Sequence, residues 1–265
     1  MEVLKEALKE VKRINSDCDV AIISCDITDP QKVDEMFEKE LVADSIDWLL
    51  NCAGMSLPGL AEETSIKDIM SELNLNYLGS VFMARKVLPS MKTKGRGRIA
   101  FVSSQAAQIG VYGYASYSAS KFAIRGYAET LRQETEVHNV QVCIIYPPDT
   151  KTPGFDHENT RKPEITQLIS QTSGLMDPDT VGKAALSGVC RGDLNIWCGL
   201  EGFGLSQISA GMTPPNSLLH GVFQVLSASL LKLISFFVVM QLDWVVKSNE
   251  NKPYKRAGSS SRKQD

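Results

Sequence analysis

Strand-like and helix-like segments alternate along most of this chain of 265 residues. The strand-like runs are short and almost continuously apolar, as in Val140 to Tyr146, which ends at Pro147-Pro148. Such runs are typical of strands that are buried on both faces of a parallel sheet, while the intervening helices supply the crossover connections. The alternation therefore predicts an α/β fold built on a doubly wound parallel sheet.

The pattern places strands at residues 20–24, 47–50, 97–102, 140–146 and 194–198. Helices are predicted at residues 31–42, 65–91, 114–137 and 177–190. The segment Asp26-Ile27-Thr28-Asp29-Pro30 has the composition of a strand end followed by a helix N-cap and a first-turn proline.

Composition excludes some classes of function. The formal net charge of −3 gives no reason to expect nucleic acid as a partner. The six cysteines contain no C-x-x-C pair, so free thiols in a reducing compartment are expected. The three histidines are widely scattered, and we expect no metal site.

The segment Tyr117-Ser118-Ala119-Ser120-Lys121 carries the clearest chemical pattern. A separation of four places the phenol of Tyr117 and the ammonium of Lys121 on the same face of a helix. A nearby cation favours the phenolate, so we expect a lowered pKa for Tyr117. With Ser104 upstream, these groups can protonate and hold the oxygen of a carbonyl that receives a hydride.

Further motifs fall in register with this pattern. Asn51-Cys52-Ala53-Gly54 follows a predicted strand, and Asn76 lies in the long helix after it. From about Asp19 to Leu200 the chain resembles the short-chain dehydrogenase/reductases, which implies a Rossmann-like fold. The resemblance implies that Tyr117 is the general acid, Lys121 contacts the nicotinamide ribose, Ser104 binds the substrate carbonyl and Asn76 supports a water.

The resemblance also implies contacts with a nicotinamide cofactor. These are expected at Asp26, Ile27, Asn51, Ala53, Gly54, Tyr117, Lys121, Pro147 and Thr152. Asp26 has an alternative interpretation as the N-cap of the helix that opens at Pro30. Cys52 stands where the family usually has a second asparagine.

The family's glycine-rich turn, Thr-Gly-x-x-x-Gly-x-Gly, is absent from this sequence. The chain instead resembles the family from the helix after its second strand, so we expect an N-terminally truncated sheet. Either the chain is a truncated form or gene model, or the protein has lost ordinary cofactor affinity. We expect weak NADPH binding and an exposed inner strand.

The segment from Pro147 to Phe155, with Glu158-Asn159 and Lys162-Pro163, narrows the resemblance. It is similar to the 3-ketodihydrosphingosine reductases, which implies NADPH-dependent reduction of a long-chain keto lipid at the cytosolic face of the endoplasmic reticulum membrane. Two alternatives stay open: a reductase of steroids or retinoids, and a non-catalytic partner of a full-length subunit.

The C-terminal third of the sequence predicts association with a membrane. Residues 218–242 contain Lys232 as their only charged side chain and are long enough to span a bilayer. Polar residues cluster on one side, which favours an amphipathic helix in the interface. Residues 247–265 carry six Lys/Arg and two Asp/Glu, a net of +4 that suits an anionic surface.

These patterns predict three parts of the chain: a reductase domain at residues 1–200, a membrane-associating helical segment at 201–246 and a basic disordered tail at 247–265. The apolar segment has an alternative use, in which it covers the edge of the sheet or forms a dimer contact. A homo-oligomer is therefore left open.

Overall fold

A computed structural model describes residues 2–172 and 174–249 of the chain. Within them, a four-stranded sheet has the order β1-β2-β3-β4, and every neighbouring pair is parallel. The strands are β1 (Trp48–Asn51), β2 (Gly97–Val102), β3 (Val140–Tyr146) and β4 (Asn195–Trp197). The predicted α/β fold with a parallel sheet is confirmed.

Helices connect and flank these strands. The first half of the chain holds α1 (Glu2–Ile14), α2 (Pro30–Lys39), α3 (Ile66–Leu73), α4 (Ser80–Lys94) and α5 (Ala115–Thr135). The second half holds α6 (Pro153–Asn159), α7 (Glu164–Thr172), α8 (Pro178–Arg191), α9 (Gly199–Ile208) and α10 (Leu218–Asn249). A π-helical turn, Asn74–Gly79, joins α3 to α4 within the single long helix that the sequence predicts.

Two apolar clusters cover the two faces of the sheet. On one face, Val87 of α4 and Ile124 of α5 pack with Phe101 and Ile144, and all four are buried. On the other face, Val189 of α8 packs with Ala100, Cys143, Ile145 and Ile196. Burial on both sides explains why β3 is apolar at almost every position.

The predicted strand at residues 20–24 is wrong, because these residues form no strand in the structure. A strand needs a neighbour for its backbone groups, and no described strand pairs with the outer edge of β1. Trp48 and Leu50 on β1 are 40% and 42% exposed, as expected for an edge strand.

The segment that follows residues 20–24 needs a further correction. The side chain of Asp29 caps α2 by accepting hydrogen bonds from the backbone of Gln31 and Lys32. Asp26 instead closes a turn with Thr28, so it is not the N-cap. The six cysteines are free, as their spacing led us to expect.

The predicted C-terminal helical segment is divided between two helices. Helix α9 packs against β4 and buries Ser206 and Gln207. Helix α10 contacts α9 and α7 and has no buried residue. Among the described residues, α10 is the one helix long and apolar enough to cross a membrane.

The predicted division at residues 200 and 246 remains a prediction, although α10 continues to Asn249. Residues 250–265, most of the predicted basic tail, lie outside the described part of the chain.

Candidate active site

The candidate site lies at the carboxyl edge of the sheet, where doubly wound folds bind their ligands. Asn51 ends β1, Val102 ends β2, and the backbone N–H of Ser103 donates to the carbonyl of Ile145 on β3. The first two turns of α5 carry Tyr117 and Lys121 against this edge. The parallel topology therefore brings together segments that are far apart in the sequence.

Lys121 is almost fully enclosed, with an exposed fraction of 4%. Its Nζ donates to the carbonyl oxygen of Val102 at 2.9 Å and lies 5.7 Å from the ring centroid of Tyr117. Burial lowers the pKa of Lys121 to about 8, while Cys52 and Glu72 act in the opposite direction. An ammonium with this pKa can hold or release a proton near neutral pH.

The half-buried Tyr117 lies beside the Ser104 hydroxyl. Burial raises the pKa of the Tyr117 phenol above its ordinary value, and the Ser104 hydroxyl opposes that change. The expected lowering of the Tyr117 pKa is therefore wrong for this arrangement, because burial is the largest cause of the shift and raises the pKa. The phenol is protonated at neutral pH, as a proton donor must be, but the raised pKa makes it a weaker acid than a free tyrosine.

Asn76 occupies the π-helical turn and is buried. Its Oδ1 accepts from the backbone N–H of Met55 at 2.8 Å, and its Nδ2 donates to the Met55 carbonyl at 2.9 Å. The same Nδ2 also lies 2.9 Å from Oγ of Ser120. Asn76 thus fastens the loop after β1 to the helix that carries Tyr117 and Lys121, and π-helical turns are frequent at functional sites.

Gly54 lies in the loop that Asn76 fastens. A Cβ atom on Gly54 would stand 3.1 Å from Oδ1 of Asn76 and 3.3 Å from Nζ of Lys121. Glycine at this position lets the backbone approach both groups. The neighbouring Ala53 is exposed, whereas Asn51 is buried and donates to the carbonyl of Ala100 at 3.4 Å.

The other predicted cofactor residues lie around this edge. Ile27 packs against the π-helical turn, since a Cβ on Gly79 would come within 2.9 Å of its side chain. The carbonyl of Pro147 accepts from the backbone N–H of Gln105 at 3.2 Å, which places it beside Ser104. Thr152 caps α6 by accepting from the backbone of Phe155 at 3.2 Å.

The residues present fit the nicotinamide end of a dinucleotide. The glycine at position 54, the exposed loop around it and the adjacent Lys121 form an open edge next to the phenol. Asp26 is exposed, and its carboxylate accepts from the backbone N–H and hydroxyl of Thr28 at 3.0 and 2.7 Å. The cofactor contacts themselves remain predictions.

Sequence reasoning missed a buried carboxyl next to the site. Glu72 on α3 is 0% exposed, and its Oε1 accepts from the backbone N–H of Leu57 at 2.7 Å. Burial raises the pKa of Glu72, and the hydrogen bond from the backbone of Leu57 acts in the opposite direction. Glu72 precedes Asn76 by four residues, which puts both side chains on the same helix face. This spacing is the sequence feature that could have identified Glu72.

Comparisons with known proteins agree with this geometry. A family model described as short chain dehydrogenase matches residues 1–163. A 3-ketodihydrosphingosine reductase of Bos taurus is 40% identical, over 92% of this chain and 75% of that protein. A 3-dehydrosphinganine reductase of Danio rerio is 41% identical over the same shares.

A solved structure described as ElxO with NADP bound superposes with a TM-score of 0.57 at 25% identity. The superposition covers 67% of this chain and 75% of that one.

Proposed function

Because this chain belongs to the short-chain dehydrogenase family, we propose that it reduces the ketone of 3-ketodihydrosphingosine to the alcohol with NADPH. The observation that carries the proposal is the meeting of Tyr117, Ser104 and Lys121 at the carboxyl edge of the sheet. Family membership makes the chain an oxidoreductase that acts on a keto or hydroxyl group, and the names of its relatives supply the substrate.

The cofactor supplies the hydride when it is bound. Tyr117 gives its phenolic proton to the carbonyl oxygen, and the Ser104 hydroxyl holds that oxygen in place. Lys121 places positive charge beside the phenolate that this transfer leaves. The bonds of Asn76 to Met55 and Ser120 keep the loop and the helix in register during the reaction.

The exposed apolar surface of helix α10 supports membrane association of the protein. We propose that the protein lies at the cytosolic face of the endoplasmic reticulum. Leu226, Phe236 and Phe237 are 81%, 62% and 60% exposed, although each is a large apolar side chain. Such a surface on one helix is typical of a segment that enters lipid. A reductase held there meets a substrate whose long chain lies in the bilayer.

The test is reduction of 3-ketodihydrosphingosine in detergent micelles, followed by loss of NADPH absorbance and by detection of the alcohol. Tyr117→Phe removes the proton donor, and we expect a loss of about 10²–10⁴-fold in rate. Tyr127→Phe is the matched control, because it removes a hydroxyl from the same helix and we expect near-normal turnover.

Near-normal reduction by Tyr117→Phe would contradict the role given to Tyr117. Faster turnover of a steroid or retinoid ketone would show that the substrate belongs to that class rather than to the long-chain keto lipids. Absence of turnover with every ketone, together with association with a longer relative, would favour the non-catalytic partner.

A further inference from the structure

A cleft of about 860 Å³ lies between helix α10 and the segment that connects α9 to α10. We name it the α10 cleft. One wall consists of residues 207–215, and the other consists of the first four turns of α10. Its volume falls within the range of about 300–1,000 Å³ that sites for small molecules usually have. The proton transfer at Tyr117 gives this cavity no role.

The lining of the α10 cleft is predominantly apolar. The large apolar side chains are those of Ile208, Met212, Pro214, Leu218, Val222 and Val225. Among the described lining residues, Lys232 carries the one charge, and it lies farthest along α10. The cleft follows α10 from Leu218 to Lys232, which is about 21 Å at the rise of an α-helix.

Two polar side chains of the lining are engaged by the protein itself. Oγ1 of Thr213 accepts from Nη2 of Arg125 at 2.9 Å and donates to Oε1 of Glu129 at 2.8 Å. Oε1 of Gln207 lies 2.8 Å from Nε2 of His220. A peptide or a nucleotide in the cleft would leave many of its polar groups without partners, which is unfavourable. The lining therefore fits an uncharged alkyl chain.

Separate contacts fix the two walls of the cleft relative to the sheet. In the connecting segment, Nδ2 of Asn216 donates to the carbonyl of Asn195 on β4 at 2.7 Å, and Oδ1 accepts from the backbone N–H of Asn195 at 3.0 Å. On α10, the ring centroid of His220 lies 5.3 Å from that of Trp197 on β4. A cleft with fixed walls needs little reorganisation to accept a ligand.

The end of the cleft nearest the domain meets the segment that follows the candidate catalytic serine. Nη1 of Arg125 donates to the carbonyl of Ala107 at 3.2 Å, and Nη2 donates to the carbonyl of Ser209 at 3.2 Å. A Cβ atom on Gly202 of α9 would come within 3.3 Å of Nε2 of Gln105. The residues after that serine therefore contact both α9 and the connecting segment, where the cleft begins.

The cleft opens on its other side among exposed apolar side chains. Met212 and Val225 line it and are 100% and 77% exposed. With α10 in a membrane, an alkyl chain can pass between the bilayer and the cleft without contact with water. The cleft thus joins the two places that a keto lipid must occupy, the membrane and the active site.

We propose that the α10 cleft binds the alkyl chain of the keto lipid while the ketone lies at Tyr117 and Ser104. The proposal rests on the proposed function, because it takes that lipid as the substrate. Each methylene group placed in the cleft adds apolar contact, so the cleft selects long-chain ketones over short-chain ones.

A variant that fills the cleft tests this assignment in the full chain. Ala228 lines the cleft, and Ala228→Phe occupies part of its volume. Ser229→Phe is the matched control, because it adds the same ring at the next residue, which is exposed and lies outside the lining. Reduction of 3-ketodihydrosphingosine is compared with reduction of an analogue that has a short alkyl chain, at one detergent concentration.

We expect Ala228→Phe to lower kcat/KM for the long-chain ketone by at least about tenfold, since each methylene group that leaves the cleft weakens binding by roughly fourfold. Its kcat/KM for the short-chain ketone should stay within about twofold of wild type. Ser229→Phe should match wild type with both ketones. Equal values for Ala228→Phe and wild type with the long-chain ketone would overturn the proposal, and so would an equal loss with both ketones.

A second measurement needs no turnover. An analogue of 3-ketodihydrosphingosine with a photoreactive diazirine at the end of its alkyl chain is added without NADPH, and the labelled residues are identified by mass spectrometry. We expect label at Met212 and Val225 in wild type, and excess ordinary ketone should remove it. Labelling of wild type decides the question if Ala228→Phe does not fold.

Two outcomes of the labelling would overturn the proposal. Label confined to residues outside the cleft would place the chain elsewhere. Label in the cleft that excess phospholipid removes and excess ketone does not would identify a lipid of the bilayer as the occupant. Failure of wild type to reduce either ketone would instead refute the proposed function, and the labelling would still decide whether the cleft holds an alkyl chain.

Discussion

The candidate active site and helix α10 both depart from the usual distribution of residues, in opposite directions. The active-site side of the domain buries Glu72, Lys121 and Lys162, which are 0%, 4% and 0% exposed. Helix α10 exposes large apolar side chains such as Leu226 and Phe236 along most of its length. Charged residues are rarely buried and apolar surfaces of this extent are rarely exposed, so each region requires a specific explanation.

The two regions differ in what offsets the cost of burying charge or exposing apolar surface. At the active site, groups of the same domain offset that cost, because Lys121 donates to Val102 and Lys162 is paired with two carboxylates. Along α10, no described residue is fully buried, although the helix contacts α9 and α7. We infer that the first region is completed by its own fold, whereas the second is completed by lipid.

The largest effect is expected from the apolar side chains of α10. Burying a large apolar side chain contributes up to about 1.5–3 kcal/mol. Replacing Leu226, Phe236 and Phe237 together by glutamine should therefore lower partitioning into liposomes by at least about 10²-fold. Flotation of the chain with liposomes in a density gradient measures this change.

Lys232→Gln is the control for α10, because a lysine that can extend to the interface adds little to the insertion. Flotation of wild type should persist when salt screens the charges, with only a modest loss. Recovery of wild type in the soluble fraction would show that α10 packs on a protein surface instead, and a dimer measured in that fraction would identify the partner.

The next effect concerns Lys121, whose buried charge costs stability. The pKa of Lys121 is about 8 in the folded protein, against an ordinary value of 10.5 that applies to the unfolded chain. This difference corresponds to about 3 kcal/mol of destabilisation of the charged form in the folded state. Below pH 8 both states hold the proton and the full cost applies. Between the two values the unfolded state binds more protons, so stability rises with pH.

Lys121→Met should therefore increase the free energy of unfolding at pH 7 by about 2 kcal/mol, after loss of the hydrogen bond to Val102. Its advantage over wild type should shrink between about pH 8 and 10.5. Urea denaturation across this range measures both quantities. Lys67→Met, at an exposed lysine of α3, should show no such dependence; a Lys121→Met variant less stable than wild type would contradict the expectation.

The smallest effect is expected at the N-terminus of α2, which has an ordinary side-chain cap. Asp29 caps α2 in a partly exposed place, and Asp29→Ala should lower the free energy of unfolding by about 1 kcal/mol. Asp26→Ala should change it less, because Asp26 only closes a turn with Thr28. Thermal unfolding of the two variants decides between them, and a larger loss for Asp26 would restore its interpretation as the cap.

Local patterns were sufficient for much of the fold. The apolar run of β3 and the helices α5 and α8 lie where the sequence predicts them, within one or two residues. The strand predicted at residues 20–24 was wrong because strand formation depends on a neighbour as well as on propensity. Helices α6 and α7 were not predicted, since prolines and short lengths hid them.

The sequence by itself determined which side chains could carry the chemistry. Strands of one parallel sheet end at one edge, so Ser104, which follows β2, lies at that edge, and α5 carries Tyr117 and Lys121 against it. Only the tertiary structure decided their electrostatics. The pKa of Tyr117 is raised because segments distant in the sequence exclude water and bring Glu72, Glu158 and Asp149 near the phenol. Desolvation depends on everything packed around a group, and no local pattern contains that information.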